Sequence, residues 1–392
     1  MSITASTNAV PPCLKGVEVT DSTIGDVRGA EGFFHYRQYS AVELAERRSL
    51  EDVWLLLLDG RLPATAAEAA AFSAETRRAR AVPSPVMDLL PALAAPAADS
   101  PDGQGSGLDR LRTALSAYGS ALGLRPLWDI DAGRRRSDLI GLAAATPVLA
   151  AALHRLSRGL DPVPADPELG HAANYLWMLT GARPGADAAR ALEQYLILTV
   201  DHGFNSSTFT ARVIASTGAD AAAAVVGALG ALSGPLHRGA PSRALDTLDA
   251  IGRPEAAEPY VRQLLARGER VMGFGHAVYR TDDPRSVMLR GVAQRLGGPL
   301  VDLAVEAERT ILALLAETKP DRPLYTNVEY YAGVVMDGCG IPREMFTPTF
   351  AVSRVIGWCA NIAEQADERR IIRPSARYVG PEPPAPVPPP AA

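Results

Sequence analysis

Reactive side chains concentrate in one stretch, Arg270 to Arg285, reading R-V-M-G-F-G-H-A-V-Y-R-T-D-D-P-R. Gly273 and Gly275 leave the backbone bare on both sides of Phe274. Bare backbone lets a ligand lie close against N–H and C=O groups. His276 follows at once, and an imidazole can donate to a carbonyl oxygen. Arg280 and Arg285 stand beyond it. Guanidinium groups fork onto carboxylates or phosphates. These types at this spacing suit an anionic substrate with a reactive carbonyl. A glycine turn before a helix, flanked by surface arginines, accounts for the same letters.

Other candidates lie far from this stretch in the chain. His202 and His237, like His276, stand at a helix end or in a turn beside glycine, whereas His35, His154 and His171 are read as lacking such settings. A helix cap or a surface position explains each one singly. Glu329 sits in N-V-E-Y-Y-A-G among apolar and aromatic neighbours, where desolvation would raise its pKa and fit it to act as a base. A helix N-terminal glutamate favoured by the dipole is the plainer alternative. Arg354 falls in a mostly apolar helix and Arg373 in I-I-R-P-S. A buried arginine needs an anionic partner, either a structural carboxylate or a ligand. Zinc ligation is disfavoured because no H-x-x-x-H or C-x-x-C occurs, and the G-x-S-x-G elbow of serine hydrolases is absent.

Something large must hold these residues together. A chain of 392 residues exceeds the size at which single cores stop growing, so two domains are expected. Its 47% apolar content suffices for a large core, and a net charge of −5 argues against a nucleic-acid partner. Cys13, Cys339 and Cys359 form no metal or disulfide pattern and suit a reducing compartment. The first residues lack the charged-then-apolar order of a secretory signal. Apolar runs are broken by charge or glycine before about 18 residues, so no membrane span is expected.

The chain reads as almost wholly helical. Residues 1–12 are a loose arm, and Val17, Val19 and Ile24 suit a short extended piece. Ser49 with Asp52 makes a helix start, closed by Gly60. Further helices are expected over 64–80, 87–93, 108–123, 138–158, 168–181, 186–202 and 220–232, with a mobile loop after the second of these. Gly203 stops one helix, and Ser233-Gly234-Pro235 breaks another just before His237. Later helices fall at 242–251, 256–267, 285–296, 300–318 and 327–337, and one from Thr347-Pro348 to about Gln365. A proline-rich tail ends the chain, and no internal repeat is found.

Taken together, these segments resemble the citrate synthase family. The strongest signatures are G-P-L-H at 234–237, G-F-G-H-A-V-Y-R-T-D-D-P-R at 273–285 and F-T-P-T-F-A-V-S-R-V-I-G-W at 346–358. N-S-S-T-F-T-A-R-V at 205–213 and I-R-P-S-A-R-Y-V-G at 372–380 add to them, and the match runs from Leu14 to Gly380. The resemblance implies an all-α, two-domain homodimer. A large domain would comprise 1–239 and the returning 344–381, a small domain 240–343, and 382–392 would be a disordered tail. The cleft between domains would close on oxaloacetate and then admit acetyl-CoA as co-substrate, with no permanently bound cofactor and no metal.

Motif by motif, the resemblance makes His202, Arg285 and Arg354 oxaloacetate-binding, and Arg373 the arginine donated into the partner subunit's site. His237 would hold the thioester carbonyl, His276 the ketone, and Glu329 would be the base. Arg280 would meet CoA phosphate, and the backbone of Gly273, Phe274 and Gly275 the adenine. The implied activity is a cytoplasmic citrate synthase; a 2-methylcitrate synthase using propionyl-CoA and a catalytically idle binding relative are the alternatives. Three departures stand out. Glu329 replaces the family's usual aspartate, Arg238 follows the G-P-L-H histidine where glycine is common, and Ala277 stands where many bacterial relatives have arginine.

Overall fold

The computed structural model describes residues 11, 14, 16–95, 107–235, 237, 241–381 and 383–388, the side chains of 241–244 excepted. The expected arm, Cys13, Arg238 and most of the expected loop after the 87–93 helix lie outside the described residues.

Three short antiparallel strands open the fold: β1 (Gly25–Arg28), β2 (Phe33–Tyr36) and β3 (Tyr39–Ser40), paired in that order. This sheet corrects the expectation of a mere extended piece. Val17 and Val19 are exposed coil, and the strands lie further on. The signal was the aromatic run F-F-H-Y beyond a glycine-flanked turn. On β2, Phe34 and Tyr36 point inward and are buried.

Sixteen helices follow among the described residues: α1 (Ala41–Arg47), α2 (Leu50–Asp59), α3 (Ala66–Arg78), α4 (Ser84–Ala94), α5 (Gly107–Ala121), α6 (Ala132–Ser157), α7 (His171–Thr180), α8 (Ala186–Thr199), α9 (Ser206–Ala215), α10 (Ala221–Leu232), α11 (Pro241–Ile251), α12 (Ala257–Ala266), α13 (Pro284–Leu296), α14 (Pro299–Thr318), α15 (Val328–Gly338) and α16 (Phe346–Glu368). Local chemistry sets many ends. Ser49 Oγ accepts from Asp52 N at 3.1 Å, and Gly60 closes α2 with φ of 78°.

Two expectations about helix starts are corrected. Thr347 does not cap α16; the helix begins at Phe346, carried on from a 3-10 turn over Arg343–Met345, with no side-chain cap. His171 does stand at a helix start beside glycine, for Gly170 is the N-cap of α7. Its ring is buried against Trp54, 5.4 Å between centroids.

At the centre lies α16, packed on α6, α8 and α9 and buried along most of its length. Helix α6 is long and apolar enough to cross a membrane, which run length alone had missed. Here its apolar faces are covered by α5, α7 and α16. Helices α11 to α15 pack among themselves, and α13 and α15 also touch α8. An ion pair of the buried Arg212 with the half-buried Glu364, aided by Asn361 Oδ1 at 2.9 Å from Arg212 Nε, ties α9 to the end of α16.

Candidate active site

The site is built where helices stop. Helix α8 ends at Thr199, and Asp201-His202-Gly203 turns away with Gly203 at φ of 61°. The small sheet holds this turn. Tyr36 Oη donates to Ile197 O at 2.8 Å and Asp201 O at 3.2 Å, and the Phe34 ring lies 5.7 Å from that of His202. Asn205 caps α9 by accepting from Ser207 N and Thr208 N. On α16, Arg354 sits one turn before Gly357, whose bare Cα lets α16 close on the Val200 carbonyl.

The stretch 270–283 is not helical because it is paired elsewhere. Gly275 N donates to Tyr325 O at 2.7 Å, Asn327 N to Gly273 O at 2.9 Å, and Asn327 Nδ2 to Gly275 O at 2.9 Å. At φ of 88°, Gly273 lies where a Cβ would come within 2.8 Å of the Tyr330 ring. The glycines are therefore bare for contact with the chain itself, and much of their backbone is already bonded. This pairing also starts α15, where Asn327 Oδ1 accepts from Glu329 N at 3.0 Å. Asp283 caps α13 and brings Arg285 in behind it.

These ends converge on one cleft of about 730 Å³. His202, His237, His276, Arg285, Glu329 and Arg354 all line it, although they span 153 residues of chain from His202 to Arg354. Gly275 lines it too. Gly273 and Phe274 do not; Phe274 packs on Tyr330, 5.2 Å between centroids. Arg280 is exposed outside the lining, its N–H bonded to Gly29 O at 2.9 Å. Arg373 is exposed and outside its own chain's cleft.

Hydrogen bonds decide which ring nitrogens carry protons. His276 Nδ1 accepts from Val278 N at 3.0 Å and Tyr279 N at 3.1 Å. Its Nε2 must therefore bear the hydrogen of the neutral ring. That Nε2–H lies 3.3 Å from Arg285 Nη2, another donor. Two donors this close converge on a shared acceptor, such as a carbonyl or carboxylate oxygen. His237 Nε2 accepts from Ser207 N at 3.3 Å and lies 2.9 Å from Ser207 Oγ, which leaves the hydrogen on Nδ1. His202 Nε2 pairs with Tyr279 Oη at 3.0 Å.

Burial, helped by nearby arginines, keeps these rings neutral. Desolvation and then Arg354 lower His237 to about 4. Desolvation and then Arg285 lower His276 to about 4, and the same burial takes His202 well below its ordinary value. Burial lowers Arg354 to about 10, with Asp201 opposing. Burial likewise opposes charge on Arg285, but Asp283 outweighs it and holds the guanidinium above its ordinary value. Asp283 accepts from Arg285 Nε at 2.9 Å, Arg285 Nη2 at 2.8 Å and Val328 N at 3.1 Å. One carboxylate thus links the arginine to the start of the helix bearing Glu329.

A neutral imidazole donor beside one buried guanidinium, a second buried guanidinium and a carboxylate around one cleft make an arrangement chemically suited to a keto-acid anion with acid–base chemistry beside it. Comparison with known proteins agrees. Residues 13–375 match the family model described as citrate synthase, C-terminal domain. The chain belongs to the citrate synthase family. It is 38% identical over 372 residues to a citrate synthase of Deinococcus radiodurans, covering 94% of this chain and 95% of that one. The solved citrate synthase of Pyrobaculum aerophilum superposes with a TM-score of 0.84 at 32% identity, covering 99% of each chain. That of Thermoplasma acidophilum, a ternary complex with carboxymethyl coenzyme A and oxaloacetate, gives 0.85 at 26%, covering 97% and 98%.

Several site residues escaped the sequence reading. Asp26 and Val27 of β1 line the cleft, as do Arg270, Tyr195 and Phe350. Phe350 lies under Arg354, 4.6 Å from its guanidinium carbon to the ring centroid. The position one helical turn before Arg354 was the available signal for Phe350. Asp283 was quoted within its motif, yet its grip on Arg285 has no sequence signature beyond the spacing.

Proposed function

We propose that the protein condenses acetyl-CoA with oxaloacetate and water to give citrate and CoA, an acyltransferase that turns its acyl group into an alkyl group on transfer. The convergence of His276 Nε2–H and Arg285 Nη2, 3.3 Å apart, carries this reading. An acceptor between them takes a neutral donor and a cation at once, which suits the keto-carboxylate edge of oxaloacetate. The complex named for the Thermoplasma acidophilum relative holds this diacid and a CoA analogue together, which supports the substrate pair.

The steps follow from the proton positions. His237 Nδ1–H donates to the thioester oxygen while Glu329 takes a proton from the acetyl methyl carbon, leaving an enolate-like nucleophile. Its carbon attacks the ketone carbon, and the new alkoxide receives its proton from His276 Nε2–H. A neutral imidazole is a weak acid, but it donates without repelling the adjacent arginines. Water gives a proton back to His276 Nε2 as it attacks the citryl thioester, and the leaving CoA thiolate takes the proton held by Glu329, which releases citrate and the CoA thiol and restores both groups. His202, Arg285 and Arg354 orient the diacid.

The remaining parts belong to this proposal. Residues 240–343 form the small domain and close the cleft over bound oxaloacetate, which keeps water from the thioester. Arg373, exposed on its own chain, reaches the partner subunit's site in a homodimer. Arg280 meets CoA phosphate beyond the loop, and adenine contact at 273–275 falls to backbone groups outside the pairing with 325–327. A reducing cytoplasmic setting suits buried free Cys339 and Cys359.

Thiol release with oxaloacetate and a panel of acyl-CoAs tests the reading. The expected result is a higher kcat/KM for acetyl-CoA. One methylene is worth only about 1–3 kcal/mol in an apolar pocket, so a clear propionyl-CoA preference reassigns the enzyme as a 2-methylcitrate synthase. Measurable oxaloacetate binding without turnover of either thioester refutes the catalytic assignment.

A further inference from the structure

Tyr195 lies on α8, fully buried, and lines the cleft. Buried tyrosines nearby all have hydroxyl partners. Tyr36 Oη donates to Ile197 O, Tyr175 Oη pairs with Thr349 Oγ1 at 2.9 Å, Tyr279 Oη with His202 Nε2 at 3.0 Å, and Tyr330 Oη donates to Ala304 O at 2.8 Å. Tyr195 Oη has no hydrogen-bond partner among the described residues. A buried hydroxyl left unpaired is costly and calls for an explanation. Removing the oxygen would relieve that cost, so its presence points to an acceptor that arrives from outside.

The surroundings say what that acceptor is. Arg354, then Tyr175, Glu329 and Arg285, act electrostatically on the Tyr195 hydroxyl. Burial first, with Glu329 adding to it, raises its pKa, so the group remains a donor throughout the working range. The arginines are incompletely free to grip a ligand. Arg354 Nε is spent on Thr199 O at 2.8 Å, and Arg285 gives Nε and Nη2 to Asp283. Neither can offer the side-on Nε and Nη2 fork that Arg136 uses on Asp59, at 2.8 and 2.9 Å. A carboxylate held by Arg354 through its Nη groups alone keeps lone pairs unfilled, and it needs another donor.

We propose that Tyr195 binds substrate directly, its hydroxyl donating to the oxaloacetate carboxylate oxygen that Arg354 also holds. This rests on the reading of the cleft as an oxaloacetate site. Tyr195→Phe removes one oxygen and keeps the packing. The expected result is a KM and a calorimetric Kd for oxaloacetate raised about tenfold or more, with kcat changed less than about threefold, as for binding shared by ground and transition states. The ligand-free Tm should hold or rise, because no protein hydrogen bond is lost, while the stabilisation by oxaloacetate shrinks.

An oxaloacetate KM and Kd equal to wild type overturn the proposal. So does a kcat that falls with KM unchanged, or a shifted pH profile of kcat, which would assign the hydroxyl to Glu329 instead. A ligand-free Tm lowered by several degrees also overturns it, since a protein partner would then exist. Wild-type protein that binds no oxaloacetate refutes the underlying reading of the cleft. Wild-type binding matched by the variant refutes only the role of Tyr195.

Discussion

Replacing Asp283 by Asn keeps the shape but removes one charge and turns one of two acceptor oxygens into a donor. The Asp283 carboxylate is 1% exposed and accepts from Arg285 N at 3.0 Å as well as from both atoms of the Arg285 fork and from Val328 N. Asn keeps one acceptor oxygen but leaves the guanidinium buried without a counter-charge, for Arg285 is itself only 3% exposed. Breaking a buried pair by neutralising one member costs about 3–5 kcal/mol. Unfolding entropy near the midpoint scales as about 2.1 cal/mol/K per residue, or roughly 0.8 kcal/mol/K for 392 residues. The loss therefore corresponds to a Tm lower by about 4–6 °C. Calorimetry of Asp283→Asn beside Asp282→Asn measures it, because Asp282 is exposed and its neutralisation should cost no more than about 0.5 kcal/mol. Arg285 should also lose its aim, raising the KM for oxaloacetate. A variant with wild-type Tm and KM would refute the view that Asp283 orients this arginine and the start of α15 together.

Glu329→Gln should reduce thiol release by about 10²–10⁴, the usual worth of a positioned base. Glu329→Asp should keep or improve the rate, because the shorter acid matches the family's usual residue; a Gln variant with normal turnover would mean another group takes the proton. Gly357→Ala places a Cβ 2.0 Å from Val200 O and should cost about 1–3 kcal/mol by overpacking. Since Arg354 lies on α16 and His202 in the turn that follows α8, kcat/KM should fall with Tm, and an unaffected Ala variant would disprove the close contact. Burial lowers His171 to about 3, and neither ring nitrogen has a partner among the described residues. Between pH 6.5 and 3 the unfolded chain takes a proton that the folded one refuses. Stability should fall as pH falls, by about 1.4 kcal/mol per unit from this group. His171→Phe should flatten that slope in urea titrations at pH 5 to 6.5; an identical slope would exclude His171 as its source.

Much of this protein follows from short-range rules that act within a few residues. Ser49 reaching back to the N–H of Asp52, Gly60 adopting φ of 78°, and Pro284 behind the Asp283 cap depend on neighbours in the chain alone, so the helices were legible. So were the catalytic candidates, because the breaks holding His202, His237 and His276 are written in glycine and proline. Long-range contact decided the rest. Strands of four residues or fewer gave too little periodicity to reveal a sheet, yet Tyr36 on that sheet bonds Asp201 O at 3.2 Å and fixes the turn carrying His202. Gly273 reads as a ligand cradle until the Tyr330 ring is found beside it. Sequence named the acids, imidazoles and guanidinium groups. Their proton positions, their prior attachments and the unpaired hydroxyl of Tyr195 depend on which atoms meet in the packed chain, from Asp283 on Arg285, two residues away, to Thr199 on Arg354, 155 residues away, and only the tertiary structure specifies those meetings.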